Sequence, residues 1–457
     1  MKPVNKAVFR AYDIRGLVDV DFDEEWVELL GRAVGTYMLR RGIGAAVTGH
    51  DCRHSSPGYH AALTRGMLST GLDVTSVGMV PTPVLYFAVR HLNRQGGVVI
   101  TASHNPPEYN GFKVWAGRTT IHTDQITAIY DILAARDFES GSGAGCDVDI
   151  IPDYIEAASR DITLRRPVRV VLDGGNGAGG LVCAELLRRI GADVVEQYCE
   201  PDGSFPNHHP DPVVEKNMGD LQARVRAEKA CCGIGLDGDA DRLGVVDENG
   251  RLLFGDQLLA MYARDTLRRF PGALVMGDVK CSHLLFRDIE QHGGRPLMWI
   301  TGHSVMKAKM LEADAKLAGE MSGHMFFNDR WYGFDDAIYG AARFLEILAA
   351  SDQPVSAMPG WPETASTPEL HMECPDAVKF DIVRRAQEFF GSRYTVDTID
   401  GVRLLFEDGW GLVRASNTQP VLVLRFEAQT AERLAQIRAI VENPLRDWVA
   451  QAVKAQA

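Results

Sequence analysis

Short β-branched runs alternate with amphipathic helical stretches along most of the chain, and that beat restricts the fold to α/β layers with mostly parallel strands inside. GAAVTGH, DVTSVG and GGVVITA are separated by segments such as YHAALTRGMLSTG, and VRVVLDGG, LVCAELLRRIG and ADVVEQ repeat the pattern. A chain of 457 residues exceeds one ordinary core, and breaks in composition divide it. DFESGSGAGCDVDIIPDYIEAA is small and polar before a new helix. VVDENGRLLFGDQLLAMYA passes from turn-joined strands to a helix, and PGWPETASTPELHMECPD is dense in proline and polar residues. These breaks predict domains at 1–149, 150–251, 252–363 and 364–457. In the last segment turn-linked strands flanked by helices replace the alternation, which reads as a smaller α+β domain.

A formal net charge of −13 argues against nucleic acid or an anionic membrane as partner, since both need a clustered positive surface. It leaves room for an anionic small molecule wherever basic residues gather locally. The eight cysteines are scattered with no C-x-x-C, which suits a reducing compartment. Cys231 and Cys232 read as core thiols, because no second Cys or His pair lies at zinc spacing. No run of about 18 apolar residues and no signal-like apolar region occurs, so a cytosolic enzyme or binding protein is expected.

Five motifs carry candidate chemistry. Residues 101–113 read TASHNPPEYNGFK and put Ser103 where a buried strand ends. The stretch is either a plain turn or a reactive serine. The adjacent His104 is not expected to activate it, because neighbours in a turning chain tend to point apart. In GIGLDGDADRLGVVDENG, Asp237, Asp239 and Asp241 alternate. Such carboxylates repel one another without a cation, and their hard oxygens suit Mg²⁺ or Ca²⁺; a solvated acidic turn is the other reading. An EF-hand fits poorly, since Arg242 stands where the loop needs glycine and strand-like runs flank it. Gly175, Gly177 and Gly180, with Glu196 beyond, satisfy a dinucleotide fingerprint or form a plain glycine-rich turn, and Asp173-Gly174 lengthens that turn. In GEMSGHMFFNDRWYGFDD, Glu320, Ser322 and His324 would share one face of a strand, either as a grip on sugar hydroxyls or as a polar edge. Finally, RASNTQP offers Arg414, Ser416, Asn417 and Thr418 as a phosphate cradle or an ordinary polar turn.

TASHNP, DGDADR, GEMSGH and RASNTQP, with YDIRG near the start, closely resemble the α-D-phosphohexomutase superfamily, specifically its phosphomannomutase/phosphoglucomutase branch. The resemblance spans essentially the whole chain in the family's order. It implies three similar α/β mixed-sheet domains plus a smaller C-terminal α+β domain around a central cleft. Ser103 would carry a phosphoryl group whose oxygens complete the shell of a Mg²⁺ held by Asp237, Asp239 and Asp241. Phospho-Ser103 would donate to a hexose 1- or 6-phosphate, giving a hexose 1,6-bisphosphate that also acts as activator. That intermediate would turn over in the cleft and return its other phosphate. Glu320 and Ser322 would bind O3 and O4 of the ring, while Met321 between them favours the glucose/mannose branch over glucosamine. Tyr12, Arg242, Lys280 and His303 match substrate-binding positions, and Arg414, Ser416, Asn417 and Thr418 the phosphate site. Arg15, Lys113 and His324 are candidates for proton transfer or charge stabilisation, Arg15 electrostatically because arginine stays protonated.

The resemblance also implies a structural role for the glycine fingerprint. It leaves the cysteine and histidine of GHDCRHSSPG, and His283 after the lysine motif, as departures from the family pattern. A cytoplasmic monomer acting on small hexose phosphates is expected. Its rivals are a phosphoglucosamine mutase, an NAD-dependent sugar oxidoreductase and an inactive sugar-phosphate binder.

Overall fold

The computed structural model describes residues 4–416 and 420–456. Three mixed sheets and one antiparallel sheet follow in chain order. The first, seven-stranded sheet centres on Gly96–Ile100 and Ala45–His50, which pair in parallel. The GGVVI strand is buried along its whole length, as expected of a strand covered on both faces. The second sheet has five strands and the third four, each built on parallel pairs closed by an antiparallel neighbour. The fourth has six strands, with helices Lys379–Gly391 and Ala431–Gln456 against it.

One boundary differs from expectation. Leu252–Leu253 pairs with the strand Leu243–Asp247, so the second sheet runs past residue 251. The turn-joined strand pair belongs with what precedes it, and the next segment starts with the helix Gly255–Arg269.

The same local geometry recurs in all four sheets. A strand ends, the chain turns, and it returns antiparallel beside itself: Gly96–Ile100 to Tyr109–Ala116, Cys232–Leu236 to Leu243–Asp247, Leu317–Gly319 to Met325–Phe327, and Gly409–Ala415 to Val421–Ala428. The serine, acidic, sugar and RASNTQP motifs occupy these four turns.

The cores are unequal. A single buried apolar cluster runs from Val47 and Tyr86 through Leu172 and Leu236 to Tyr262 and Phe344, uniting the first three domains. The fourth packs its own core around Phe390, Leu404, Phe426 and Val441. It meets the third domain over Val279, Trp410 and Leu412, with Met298 beside them.

Candidate active site

Ser103 lies buried at the tip of the first turn, with φ +51. Its hydroxyl donates to Asp237 Oδ2 at 2.7 Å, so the serine and acidic motifs meet although 134 residues separate them. The expectation that His104 points away is wrong. The left-handed backbone at Ser103 folds the turn back on itself and brings His104 Nδ1 to 3.1 Å from Ser103 Oγ. Burial, with the charges of Arg242 and Arg15 added, holds that imidazole well below its ordinary pKa and therefore neutral.

A residue the motifs did not single out holds this turn. Arg53 is completely buried, and its guanidinium donates to the carbonyls of Ser103 at 2.8 Å, Asn105 at 2.6 Å, Pro106 at 2.7 Å and Tyr109 at 3.0 Å. Asp51 neutralises it at 3.1 Å and also accepts from Ser56 Oγ at 2.6 Å. The GHDCRHSSPG departures surround this clamp, and Cys52 Sγ donates to Asn176 O at 3.4 Å.

Asp237, Asp239 and Asp241 are all fully buried, and each offers an oxygen within 4.8 Å of the others. Lys113 reaches them from the strand after the serine turn, its Nζ 2.6 Å from Asp239 Oδ2 and 2.5 Å from Asp241 Oδ2. Oδ1 of Asp239 has no hydrogen-bond partner among the described residues, and Oδ1 of Asp241 faces only His324 Nε2 at 3.3 Å. Three buried carboxylates, one with an oxygen that no donor meets, call for a hard cation, so the donor set fits a metal such as Mg²⁺. Burial and the charges of Asp239 and Asp241 push the Asp237 carboxyl well above its usual range. Against its own burial, Lys113 and His324 hold Asp241 low.

The fingerprint glycines pack on this loop. Ala178 N donates to Gly238 O at 3.0 Å, and a Cβ on Gly177 would stand 2.7 Å from that oxygen. Gly238 in turn lets the acidic loop approach Ser103, because a Cβ there would lie 2.4 Å from Ser103 O.

The sugar motif is not a strand. Glu320 to Gly323 turn between two short strands, with Gly323 at φ +89 and Glu320 N donating to His324 O at 2.9 Å. The turn, not a period of two, gathers the side chains. His324 Nδ1 lies 2.9 Å from Glu320 Oε2 and 3.0 Å from Ser322 Oγ, and its Nε2 lies 3.3 Å from Asp241 Oδ1. Burial opposes the charged imidazole, but Asp241 and Glu320 raise it to about 9. Glu320 is held at about 2 despite its burial, chiefly by His324, and it accepts from Gly302 N at 2.5 Å. Met321 N donates to Asp278 Oδ1 at 3.2 Å. The acidic and sugar turns are joined by an isolated bridge between Arg242 and His324. His303 stacks on His324 with centroids 5.5 Å apart, backed by Lys307 and Asp335, a buried ion pair at 2.6 Å.

Several of the remaining candidates link domains. Arg414 Nε donates to Asp400 Oδ2 at 2.9 Å, Thr301 N donates to the same oxygen at 3.1 Å, and Tyr12 Oη donates to Thr301 O at 3.0 Å. That chain joins the first, third and fourth domains. Arg15 bonds Asn105 Oδ1 at 2.6 Å and Asp13 at 2.5 Å, beside the serine turn. Lys280 pairs with Glu369 at 3.0 Å. His283 faces Glu427 of the fourth domain at 3.3 Å. Ser416 N donates to Val421 O at 3.0 Å and closes the fourth turn, while Asn417 and Thr418 lie outside the described residues.

Known proteins share this arrangement. The phosphoglucomutase/phosphomannomutase alpha/beta/alpha domains I, II and III match residues 6–140, 152–250 and 254–361, and the C-terminal domain of the same proteins matches 369–443. A phosphomannomutase/phosphoglucomutase of Pseudomonas aeruginosa is 46% identical over 442 residues, covering 96% of each chain. A phosphoglucomutase of Neisseria gonorrhoeae is 42% identical over 460 residues, covering 98% of this chain and 100% of that one. The crystal structure of a phosphoglucomutase/phosphomannomutase family protein from Burkholderia thailandensis superposes with a TM-score of 0.90 at 43% identity, covering 95% of this chain and 96% of the other.

Proposed function

Because the chain belongs to the phosphoglucomutase/phosphomannomutase family, we propose that it interconverts the 1- and 6-phosphates of glucose and of mannose through a phosphorylated Ser103. The observation that carries this reading is the meeting of Ser103 Oγ, three buried aspartates and Lys113 in one place, with the Glu320–Ser322–His324 turn bridged to it.

In the first half-reaction the bond between phosphorus and Ser103 Oγ breaks as a bond forms to a free sugar hydroxyl. That hydroxyl surrenders its proton, and Ser103 regains one when it is left free. The 1,6-bisphosphate then reorients, and in the second half-reaction the bond from the other phosphorus to the sugar oxygen breaks as a bond to Ser103 Oγ forms, with the proton movements reversed. Lys113 is a poor proton carrier: against its burial, Asp239 and Asp241 raise it above its ordinary value and keep it charged. A guanidinium is no proton carrier, so Lys113 and Arg15 both act by stabilising transferring charge. His324, beside the sugar grip and shared between two carboxylates, is the group for proton exchange. A magnesium ion on Asp237, Asp239, Asp241 and the Ser103 phosphoryl would supply positive charge to offset that of the transferring group.

Glu320 and Ser322 grip O3 and O4, and glucose and mannose differ only at C2, so both sugars fit. Arg414, Ser416, Asn417, Thr418, Tyr12, Arg242, Lys280 and His303 receive the phosphates and sugar. Eight free thiols support a reducing compartment such as the cytoplasm. Among the described residues no helix is long and apolar enough to cross a membrane.

The test is a Mg²⁺-dependent mutase assay on glucose 1-phosphate, mannose 1-phosphate and glucosamine 1-phosphate, each with a trace of hexose 1,6-bisphosphate. Turnover of the first two is expected. Turnover of glucosamine 1-phosphate alone would move the protein to the other branch, and no turnover would remove the mutase reading.

A further inference from the structure

Lys280 stands on the loop after the strand Leu274–Asp278 of the third domain, yet its partner comes from the fourth. Its side chain is 9% exposed, and its ammonium lies 3.0 Å from Glu369 Oε2 and 3.9 Å from Asp278 Oδ2. Asp278 is engaged elsewhere, accepting from Met321 N at 3.2 Å and from Thr301 Oγ1 at 3.0 Å. Glu369 directly precedes the strand Leu370–Glu373, which pairs with Val421–Ala428, and its second oxygen meets His371 Nε2 at 3.1 Å.

The backbone that bears Lys280 is pinned from the fourth domain. Arg403 donates to Val279 O at 2.7 Å and Cys281 O at 2.9 Å, and Arg425 donates to Lys280 O. While these bonds hold the loop stays in place, and the ammonium meets whichever anion stands beside it. Lys280 holds the Glu369 carboxyl far below its usual range, and the guanidinium of Arg414 is close enough for both groups to feel its charge. A resident carboxylate thus occupies the cationic wall assigned above to substrate phosphate.

We propose that Glu369 is a positioning residue acting through Lys280: it replaces a departing phosphate as the ammonium's counter-ion and so keeps the phosphate grip reversible. This rests on the mutase reading, in which the bisphosphate must release its contacts and turn round once per cycle. Without Glu369, each release would leave a nearly buried ammonium with only Asp278, 3.9 Å away and shared with two other donors, as counter-ion, which is costly. Phosphate would then be held too tightly to let go.

The experiment compares wild type with Glu369→Gln, which keeps size and removes charge, and with Glu369→Asp, which keeps charge. Calorimetric titration with glucose 1-phosphate should show Kd about five-fold lower in the Gln variant, the scale of one like charge removed beside a bound anion. KM should fall with it, escape of labelled bisphosphate per turnover should drop, and Asp should restore wild-type values. An unchanged or raised Kd for Gln would overturn the proposal, the latter marking Glu369 as a clasp that holds the domains together. A merely structural loss would lower kcat and Tm without tightening binding. The titration separates the two readings: wild type that binds no hexose phosphate defeats the mutase reading, whereas wild type that binds as well as or better than the Gln variant defeats the role of Glu369 alone.

Discussion

Arg53 binds no sugar or phosphate in any reading above, yet four carbonyls of the serine turn converge on its guanidinium. The turn needs this because Ser103 sits at φ +51, a conformation that non-glycine residues adopt only under constraint. Arg53→Lys keeps the charge on Asp51 but offers one ammonium where a planar fork spans four acceptors. Misplacing a reacting atom by about an ångström can cost about 10²-fold in rate. Steady-state kinetics should show kcat falling by about that factor with KM nearly unchanged, because the hexose phosphate grip lies on other turns. A KM effect of the same size with kcat intact would remove Arg53 from the positioning of Ser103. Ser103→Ala should abolish turnover while calorimetry still finds hexose phosphate bound; retained turnover would overturn the phosphoserine role. Ser103, the aspartates, Glu320 and Arg414 were legible in sequence because their chemistry lies in side chains clustered within a few residues. Arg53 was not, because its partners are main-chain oxygens, and nothing in residue identity tells where four carbonyls will point. His104 was misread for a related reason: one left-handed residue reverses which way its neighbour faces.

At the level of elements, the alternating sequence pattern foretold layers and parallel strands, and four antiparallel returns carry the four motifs. What it could not tell was turn from strand at Glu320–His324, where spacings of two fit an alternating face equally well. Only Gly323 at φ +89 decides, and glycine permits that angle without announcing it. Helix Ser56–Leu68 illustrates how an element supports a site it does not enter. It begins at the Asp51–Arg53–Ser56 cluster and lays His60 against the first sheet, with Nε2 3.0 Å from Thr48 Oγ1 and the ring 5.1 Å from that of His50. Burial, then repulsion from His50, lowers His60 to about 4, while Asp147 opposes weakly. Between about 4 and the ordinary 6.5 the unfolded chain binds a proton that the folded chain refuses. Stability is therefore fully present above 6.5 and declines as pH falls toward about 4. For a partly exposed group the loss is roughly 2 kcal/mol. Thermal unfolding of His60→Gln should vary less with pH across that window than wild type does. Parallel curves for the two proteins would show that His60 does not titrate this way.

Across the whole molecule, one apolar cluster spans the first three domains, the first packs a second cluster of its own, and the fourth keeps a separate core. The apolar contact between the third and fourth domains is small, Val279, Trp410 and Leu412 beside Met298, and polar links do the rest: Arg403 and Arg425 on the Lys280 loop, Asp400 on Thr301, and Lys280 on Glu369. Interfaces of this polar kind give relative motion by default. Sequence breaks pointed to four units, but they could not show that three share an apolar cluster, since that depends on which apolar faces meet in space. Cooperative unfolding follows shared cores, so heating should melt the fourth domain in a transition separate from the body of three. On the proposed reading, a hexose 1,6-bisphosphate held by Glu320 and Ser322 on one side and Arg414 on the other would bind only when the third and fourth domains are assembled. By mass action it should raise the fourth-domain transition most, by an amount that grows with ligand concentration. Differential scanning calorimetry with and without the bisphosphate reads both effects. One cooperative transition in the free protein would mean that the polar links couple the fourth domain as tightly as a core does, and closure would then have to come from within the body of three.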